Sequence, residues 1–190
     1  ALPSATFVLG VIAAISGLPG ASAVSEAAAF ADRYRSRRDK RRVDRVEKLL
    51  HDVESRVADL ESAASDEQVD LFIEVTGKAM MDDEAAKEVY YGAVIEWILR
   101  DNPTRSQVRV LSDGVQQLSA VELAYQVIEM HGRQARRLIE RELPETTVIA
   151  RLEAAGISTG GVRMKGNPTT LGQALQKYVP LESIPEPPRR

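Results

Sequence analysis

The sequence predicts a mainly α-helical protein: a helical bundle with a long amphipathic helix, followed by a C-terminal unit of short helices and one small β-hairpin. Capping boxes, in which a Ser or Thr precedes a Gln or Glu by three residues and marks a helix start, recur at 65–68, 104–107 and 119–122. Apolar residues recur every three or four positions across 43–64, which is the period of a helix face. A Gly-Gly pair at 160–161 separates two short β-prone pieces and predicts the hairpin.

The composition is that of an ordinary globular chain. Its 190 residues suffice for one domain or two small ones, and 44% of them are hydrophobic, enough to form a core. The formal net charge of -3 gives no general argument for nucleic-acid binding. Because the chain has no cysteine, disulfides and thiolate metal sites are excluded, and the sequence is compatible with a reducing cytoplasm.

The first 25 residues are uncharged and mostly apolar. No basic segment precedes them, so we expect no signal peptide. Their usable apolar run, 5–18, is 14 residues long, fewer than the roughly 20 that a membrane-spanning helix needs. We therefore expect this stretch to fold against the long helix that follows it.

A long helix is predicted over 21–64, because neither Pro nor Gly interrupts that range. Between 33 and 48 it has nine Lys or Arg against three acidic residues, a local charge of +6. Such a segment is either a solvated helix face or a contact for an anionic surface. The candidate residues for an anionic surface are Arg33, Arg35, Arg37, Arg38, Lys40, Arg41 and Arg42.

The second part of this helix has a heptad pattern. Its a and d positions predict the seam of a parallel homodimer, in which Arg at g faces Glu at e on the partner. A helix of a single-chain bundle gives the same spacing, so both alternatives stand. The predicted seam residues are Val43, Val46, Leu50, Val53, Val57 and Leu60.

Three helices are predicted between this long helix and the C-terminal unit. The first ends at Met80 or Met81, and the second starts with an acidic first turn at 82–84 and runs to about Arg100. The second helix has two adjacent apolar stripes and is expected to be deeply packed: Val89, Ala93 and Trp97, and Tyr90, Val94 and Ile98. The Met, Tyr and Trp residues of this region are interpreted as core. An Asn-Pro pair at 102–103 stops the second helix, and a third helix follows the capping box at 104.

In the C-terminal unit, helices are predicted over 119–131, 133–142 and up to Ala155, with Gly156 as the glycine that ends the third. Pro144 is expected at the first helical position, with Thr146 or Thr147 as a cap.

A hairpin follows from Ile157 to Met164, and 165–168 is expected to end it. Thr169 or Thr170 starts the last helix, and 181–190 is expected to be an extended, Pro-rich tail. The sequence therefore predicts an N-terminal helical domain over 1–103 and a second domain over 104–180.

The order of three helices, a wing and a last helix resembles the winged-helix domains of bacterial regulators. In those domains a segment like RLEAAGI, here at 151–157, precedes the wing, and a Leu-Thr-x-x-Gly phrase follows it. The TTLG at 169–172 departs slightly from that phrase. The whole chain is also similar to uncharacterised bacterial helical proteins with a Gly/Pro-broken apolar start, an Arg-rich helix and a winged-helix end. The resemblance implies a fold and no established activity.

If the winged helix reads DNA, its third helix should enter the major groove. That helix offers Arg151 beside the acidic Glu145 and Glu153, and the range 118–180 has eight basic against six acidic residues. Both features are weak for a DNA-binding domain. The candidate nucleic-acid contacts are Arg133, Arg136, Arg137, Arg141, Arg151, Arg163 and Lys165.

No catalytic residue, cofactor or metal site is predicted. The two histidines, His51 and His131, are far apart in sequence, and no HExxH, P-loop, nucleophile elbow or dinucleotide fingerprint occurs.

Three functions remain. The first is a non-catalytic cytoplasmic regulator or adaptor whose winged helix binds nucleic acid, with a homodimer as one form. The second is an effector that is peripheral to the membrane and uses the apolar start and the Arg-rich helix. The third is a scaffold that binds only protein.

Overall fold

In the computed structural model, the described residues are 48, 49, 51, 64–131, 143–159 and 167–184. They are mainly helical. The helices are α1 Asp66–Met81, α2 Glu88–Asp101, α3 Arg105–Gln117, α4 Ala120–Met130, α5 Glu145–Ala154 and α6 Thr170–Tyr178. Short strands β1 Ser158–Thr159 and β2 Asn167–Pro168 lie between α5 and α6, and 3₁₀ turns occupy Ala85–Lys87 and Leu181–Ser183.

All three predicted capping boxes are confirmed. The hydroxyls of Ser65, Thr104 and Ser119 each accept a hydrogen bond from the backbone N–H three residues later. The Gln or Glu side chain at that later position accepts a second hydrogen bond from the N–H of the cap residue. The stop after α2 is also confirmed, because Asn102 adopts a left-handed conformation with φ of 47°. These signals are local, so the sequence alone determines them.

Two predicted helix starts differ from the structure. The helix expected to begin at 82 begins at Glu88, after a 3₁₀ turn. Asp82 is instead the C-cap residue of α1: its N–H donates to the Lys78 carbonyl, and its carboxylate accepts from the Glu84 N–H at 3.0 Å. The prediction of a Thr cap for α5 is wrong. Pro144 is its N-cap residue, and its carbonyl accepts the first bonds of the helix.

Helix α2 is the centre of the fold. All ten residues from Tyr90 to Leu99 are buried, and the helix contacts α1, α3 and α6. A helix that is buried on every side must be surrounded by other elements, which explains why it carries two apolar stripes. Tyr90, Tyr91 and Trp97 are core residues, as predicted.

Helices α1 and α3 run in the same direction, side by side. Asp70 pairs with Arg105 at 3.3 Å, and Lys78 pairs with Asp113 at 2.6 Å. Both helices advance by eight residues from the first of these pairs to the second, so their axes point in the same direction. Glu74 and Arg109 form the pair in between, at 3.1 Å.

One hydrophobic core includes residues from both predicted domains. Helix α6 packs directly on α2, and Lys177 of α6 pairs with Asp101 of α2 at 2.9 Å. The boundary at 103/104 stays a prediction, but the helices on its two sides share one interior.

Candidate functional site

The corner between α3 and α4, residues 114–122, collects side chains from three other parts of the chain. A helix end leaves its last carbonyls without partners, and the next helix start leaves its first N–H groups without partners. Here the two ends are separated only by Leu118 and Ser119. Within the corner, the Leu118 N–H donates to the Gly114 carbonyl at 3.0 Å. The Ser119–Glu122 capping box pairs the N–H groups of both its residues. Other backbone groups of the corner have partners from elsewhere in the chain.

The segment between α1 and α2, together with Tyr90 in the first turn of α2, holds one side of this corner. The Lys87 ammonium donates to the Gln116 carbonyl at 3.0 Å. The Glu84 carboxylate accepts from the Ala120 N–H at 2.9 Å, and the Tyr90 hydroxyl donates to the Ala120 carbonyl at 3.3 Å. A cation thus lies at the C-terminus of α3 and an anion at the N-terminus of α4, the arrangement that both helix dipoles favour.

Lys87 is itself neutralised within the fold. Its side chain is only 7% exposed, and its Nζ lies 3.1 Å from Asp82 Oδ2 and 3.5 Å from Glu84 Oε2. The Tyr91 hydroxyl donates to the same Asp82 oxygen at 2.8 Å. Burial, and then this hydrogen bond, raise the pKa of Tyr91 far above its usual value. Lys87, Asp82 and Tyr91 therefore form a buried, paired network, with the more exposed Glu84 at its edge.

Helix α5 holds the other side of the corner through Arg151. The Arg151 Nη2 donates to the Gln117 carbonyl at 3.1 Å, one residue after the carbonyl that Lys87 binds. The Arg151 Nη1 lies 3.1 Å from Glu122 Oε1. That oxygen has no aligned hydrogen-bond donor, so the contact is ionic. Glu122 is fully buried, and its other oxygen accepts from the N–H and the hydroxyl of Ser119 at 2.8 and 2.9 Å.

The position of Arg151 bears on its predicted role in nucleic-acid binding. It was the one basic residue expected on the recognition helix, and its guanidinium is engaged with the corner. A phosphate that drew Arg151 away would leave a buried carboxylate without its cation, which is costly. The other predicted nucleic-acid contacts lie outside the described residues: Arg133, Arg136, Arg137, Arg141, Arg163 and Lys165.

The base of the predicted wing is a short antiparallel pairing, with Ser158 opposite Pro168 and Thr159 opposite Asn167. The hairpin was expected to end before Asn167, whereas the structure places Asn167 and Pro168 in β2. The predicted second strand at 162–164 lies outside the described residues.

Two residues fix the ends of this pairing. Gly156, confirmed as the glycine that ends α5, has φ of 71°, and the Ile157 N–H closes the turn on the Leu152 carbonyl at 3.0 Å. The Thr169 hydroxyl lies 2.7 Å from the Gly156 carbonyl and accepts from the Gly172 N–H at 3.1 Å. Thr169 therefore caps α6 and binds it to the end of α5.

The predicted anionic-surface and dimer-seam residues lie outside the described residues, as does the apolar start. Three neighbours in the long helix are described: Lys48 and His51 are exposed, and Leu49 is 3% exposed in the common core. In the predicted heptad Leu50 is an a position, so Leu49 is the g position beside the seam. Its burial against this chain favours the single-chain bundle alternative for that face of the helix.

Charge is distributed unevenly along the chain. The ranges 64–131, 143–159 and 167–184 contain seven Lys and Arg against sixteen Asp and Glu. Each of these seven lies within 3.3 Å of a carboxylate oxygen. The ranges 1–63, 132–142, 160–166 and 185–190 contain eighteen basic against twelve acidic residues. The described helices are thus acidic, and the excess of basic residues is in the sequence around them.

In the part of the chain that the structure describes, no cluster of His, Asp and Glu could hold a metal ion. No helix in the described ranges is long and apolar enough to cross a membrane. Comparisons with family models, curated proteins and solved structures found no match.

Proposed function

We propose that this protein is a non-catalytic regulator or adaptor whose C-terminal winged-helix-like unit binds nucleic acid. The phosphate contacts are assigned to the basic residues at 132–142 and 160–166, and not to α5. The order α4, α5, paired strands and α6 supports the winged-helix interpretation.

The observation that carries this proposal is the pairing of basic residues in the described ranges. Phosphate recognition needs Lys or Arg that can exchange water and counterions for phosphate. The seven basic residues of the described ranges after residue 63 have acidic partners, whereas 132–142 contains four Arg against two Glu. The range 160–166 adds Arg163 and Lys165 with no acidic residue.

These two basic ranges adjoin the same small unit. The first lies between His131 and Leu143, directly before α5, and the second lies between Thr159 and Asn167, directly after β1. One flanking residue of each range is therefore close to α5 in the chain: Leu143 precedes its start, and Thr159 belongs to β1, which follows its C-terminal turn.

Salt-dependent binding to duplex DNA tests the proposal. We expect the double variant Arg136→Gln/Arg137→Gln to bind at least tenfold more weakly, and its plot of log K against log salt to be shallower by about two. The matched control is Arg105→Gln/Arg109→Gln, which removes the same charge from residues that pair with α1. Equal weakening by both variants would show only a general charge effect and would overturn the assignment. No binding by the wild type would end the nucleic-acid proposal.

A second candidate is an adaptor that binds only protein. The excess of acidic residues in the described ranges favours a basic partner over a nucleic acid for the helical body. The membrane-directed alternative concerns only the apolar start and 33–48, and anionic liposomes in the same titration test it. Binding to liposomes but not to DNA would favour that alternative.

A further inference from the structure

We infer that the α3–α4 corner is a mechanical joint that couples the segment 82–90 to α5 and the base of the wing. This goes beyond nucleic-acid binding, because the coupling is a property of the chain alone. The corner is held from one side by Lys87, Glu84 and Tyr90 and from the other side by Arg151.

The two cations bind neighbouring peptide groups. Lys87 holds the Gln116 carbonyl at 3.0 Å, and Arg151 holds the Gln117 carbonyl at 3.1 Å. Consecutive carbonyls belong to one rigid stretch of backbone, since each peptide unit is planar and only two dihedrals separate them. A shift of the corner away from one cation therefore changes the geometry at the other.

The same coupling exists at the start of α4. Glu84 accepts from the Ala120 N–H at 2.9 Å, and Glu122, which pairs with Arg151, accepts from the Ser119 N–H at 2.8 Å. The first turn of α4 is thus fixed by one carboxylate from the segment 82–90 and by another that α5 neutralises.

Packing adds a second connection between the corner and the wing base. A Cβ at Gly114 would lie 3.3 Å from the Ala155 carbonyl oxygen and 3.3 Å from the Ile157 side chain. The end of α3 therefore lies against the end of α5, where Gly156 turns the chain into β1. Because close-packed interfaces do not deform continuously, movement of the corner must displace this contact.

The consequence is conformational. Whatever binds or rearranges the N-terminal helices can alter α5 and the wing base through the corner, without touching them. In turn, a ligand that binds the C-terminal unit would change the contacts of Lys87 with the corner, because coupling between two sites is reciprocal.

A double-mutant cycle in urea denaturation tests this coupling. Lys87→Met and Arg151→Met are measured alone and together in the full chain. If the corner is a joint, loss of Lys87 already loosens it, so loss of Arg151 then costs less. Each variant raises the unfolding equilibrium constant by some factor over the wild type. We expect the factor for the double variant to be at least fivefold smaller than the product of the two single-variant factors.

The control cycle combines Arg151→Met with Lys177→Met, which removes the α6–α2 pair with Asp101 at 2.9 Å. We expect this cycle to be additive within twofold. If Lys87→Met does not fold, Glu84→Ala replaces it, because it removes the acceptor of the Ala120 N–H from the same side of the corner. The proposal is overturned if the cycle with residue 87 or 84 is additive within twofold. It is also overturned if the control cycle departs from additivity by the same factor as the test cycle.

Discussion

Gly114 of α3 lies against the backbone of Ala155 at the end of α5, so closely that a Cβ at Gly114 would be 3.3 Å from the Ala155 oxygen. Substitution by Ala usually stabilises a helix interior by removing the conformational freedom of glycine. At this position the added methyl group must displace backbone or the buried Ile157.

We expect Gly114→Ala to lower the free energy of unfolding by about 1–3 kcal/mol, as overpacking does. The matched control is Gly77→Ala in α1, where a Cβ would meet nothing within 4 Å. That variant should gain roughly 0.5–1 kcal/mol. Urea denaturation measures both, and a stabilised Gly114→Ala would show that α3 and α5 can separate at no cost.

Gly156 presents a different constraint, because its φ of 71° is in the left-handed region. We expect Gly156→Ala to lower the free energy of unfolding by about 1–2 kcal/mol. Gly156→Asn should lose less, since Asn tolerates this conformation better than Ala. Thermal or urea unfolding of the two variants provides the comparison. Equal losses would mean that contacts, and not backbone conformation, select glycine here.

The starts of α1, α3 and α4 could be predicted from sequence because their signals are local. A Ser or Thr cap and its Gln or Glu are three residues apart, so the pair forms whenever the helix does. Gly156 was identifiable for the same reason. The all-round burial of α2 also followed from its two apolar stripes.

The corner could not be predicted in the same way. Lys87 and Gln116 are 29 residues apart, Glu84 and Ala120 are 36 apart, and no local pattern marks their contacts. The same tertiary contacts explain why the acidic residues at 82–84 do not start a helix. The Asp82 and Glu84 carboxylates pair with Lys87, and Glu84 also accepts from the Ala120 N–H at the start of α4. Arg151 was singled out from its charge, whereas its structural partner Glu122 was identified only as part of a capping box.

Burial of Tyr91 gives the protein a defined response to alkaline pH. The pKa of its hydroxyl is raised in the folded state, while in the unfolded chain it is about 10. Above that pH the unfolded state loses a proton that the folded state retains, so stability falls as pH rises. We expect Tyr91→Phe to show a decline that is shallower by about 1.4 kcal/mol per pH unit. Urea denaturation at several pH values above 10 measures the slopes, and parallel curves would contradict this.

The homodimer remains a prediction from the heptad spacing. Replacing both Val46 and Val53 with Glu should lower the mass measured by sedimentation, because two charges would then lie in the seam. The control is Lys48→Glu, an exposed position of the same helix. A wild-type chain that sediments as a monomer at high micromolar concentration would end the dimer proposal, and the buried Leu49 would then be explained by the single-chain alternative.

The Glu74–Arg109 pair between α1 and α3 should be sensitive to salt. The Arg109 Nε and Nη2 donate to the two carboxylate oxygens at 3.1 and 3.2 Å, while the Arg109 side chain is 53% exposed. A two-point pair of this kind is worth more than a single contact, but solvent screens it. In a double-mutant cycle with Glu74→Gln and Arg109→Gln, we expect a coupling of about 0.5–1 kcal/mol at ~0.1 M salt. The Debye length falls to about 3 Å at ~1 M salt, so less than half of this coupling free energy should remain at that concentration.

The buried pair of Lys87 and Asp82 is the control for this experiment. Both side chains are less than a tenth exposed, and buried pairs are screened much less than surface pairs. A cycle with Lys87→Met and Asp82→Asn should therefore keep most of its coupling at ~1 M salt. The contrast between the two cycles is the decisive result, since salt also acts on hydrophobic burial in every variant. If both couplings fall by the same fraction, the exposure of the Glu74–Arg109 pair does not determine its response to salt.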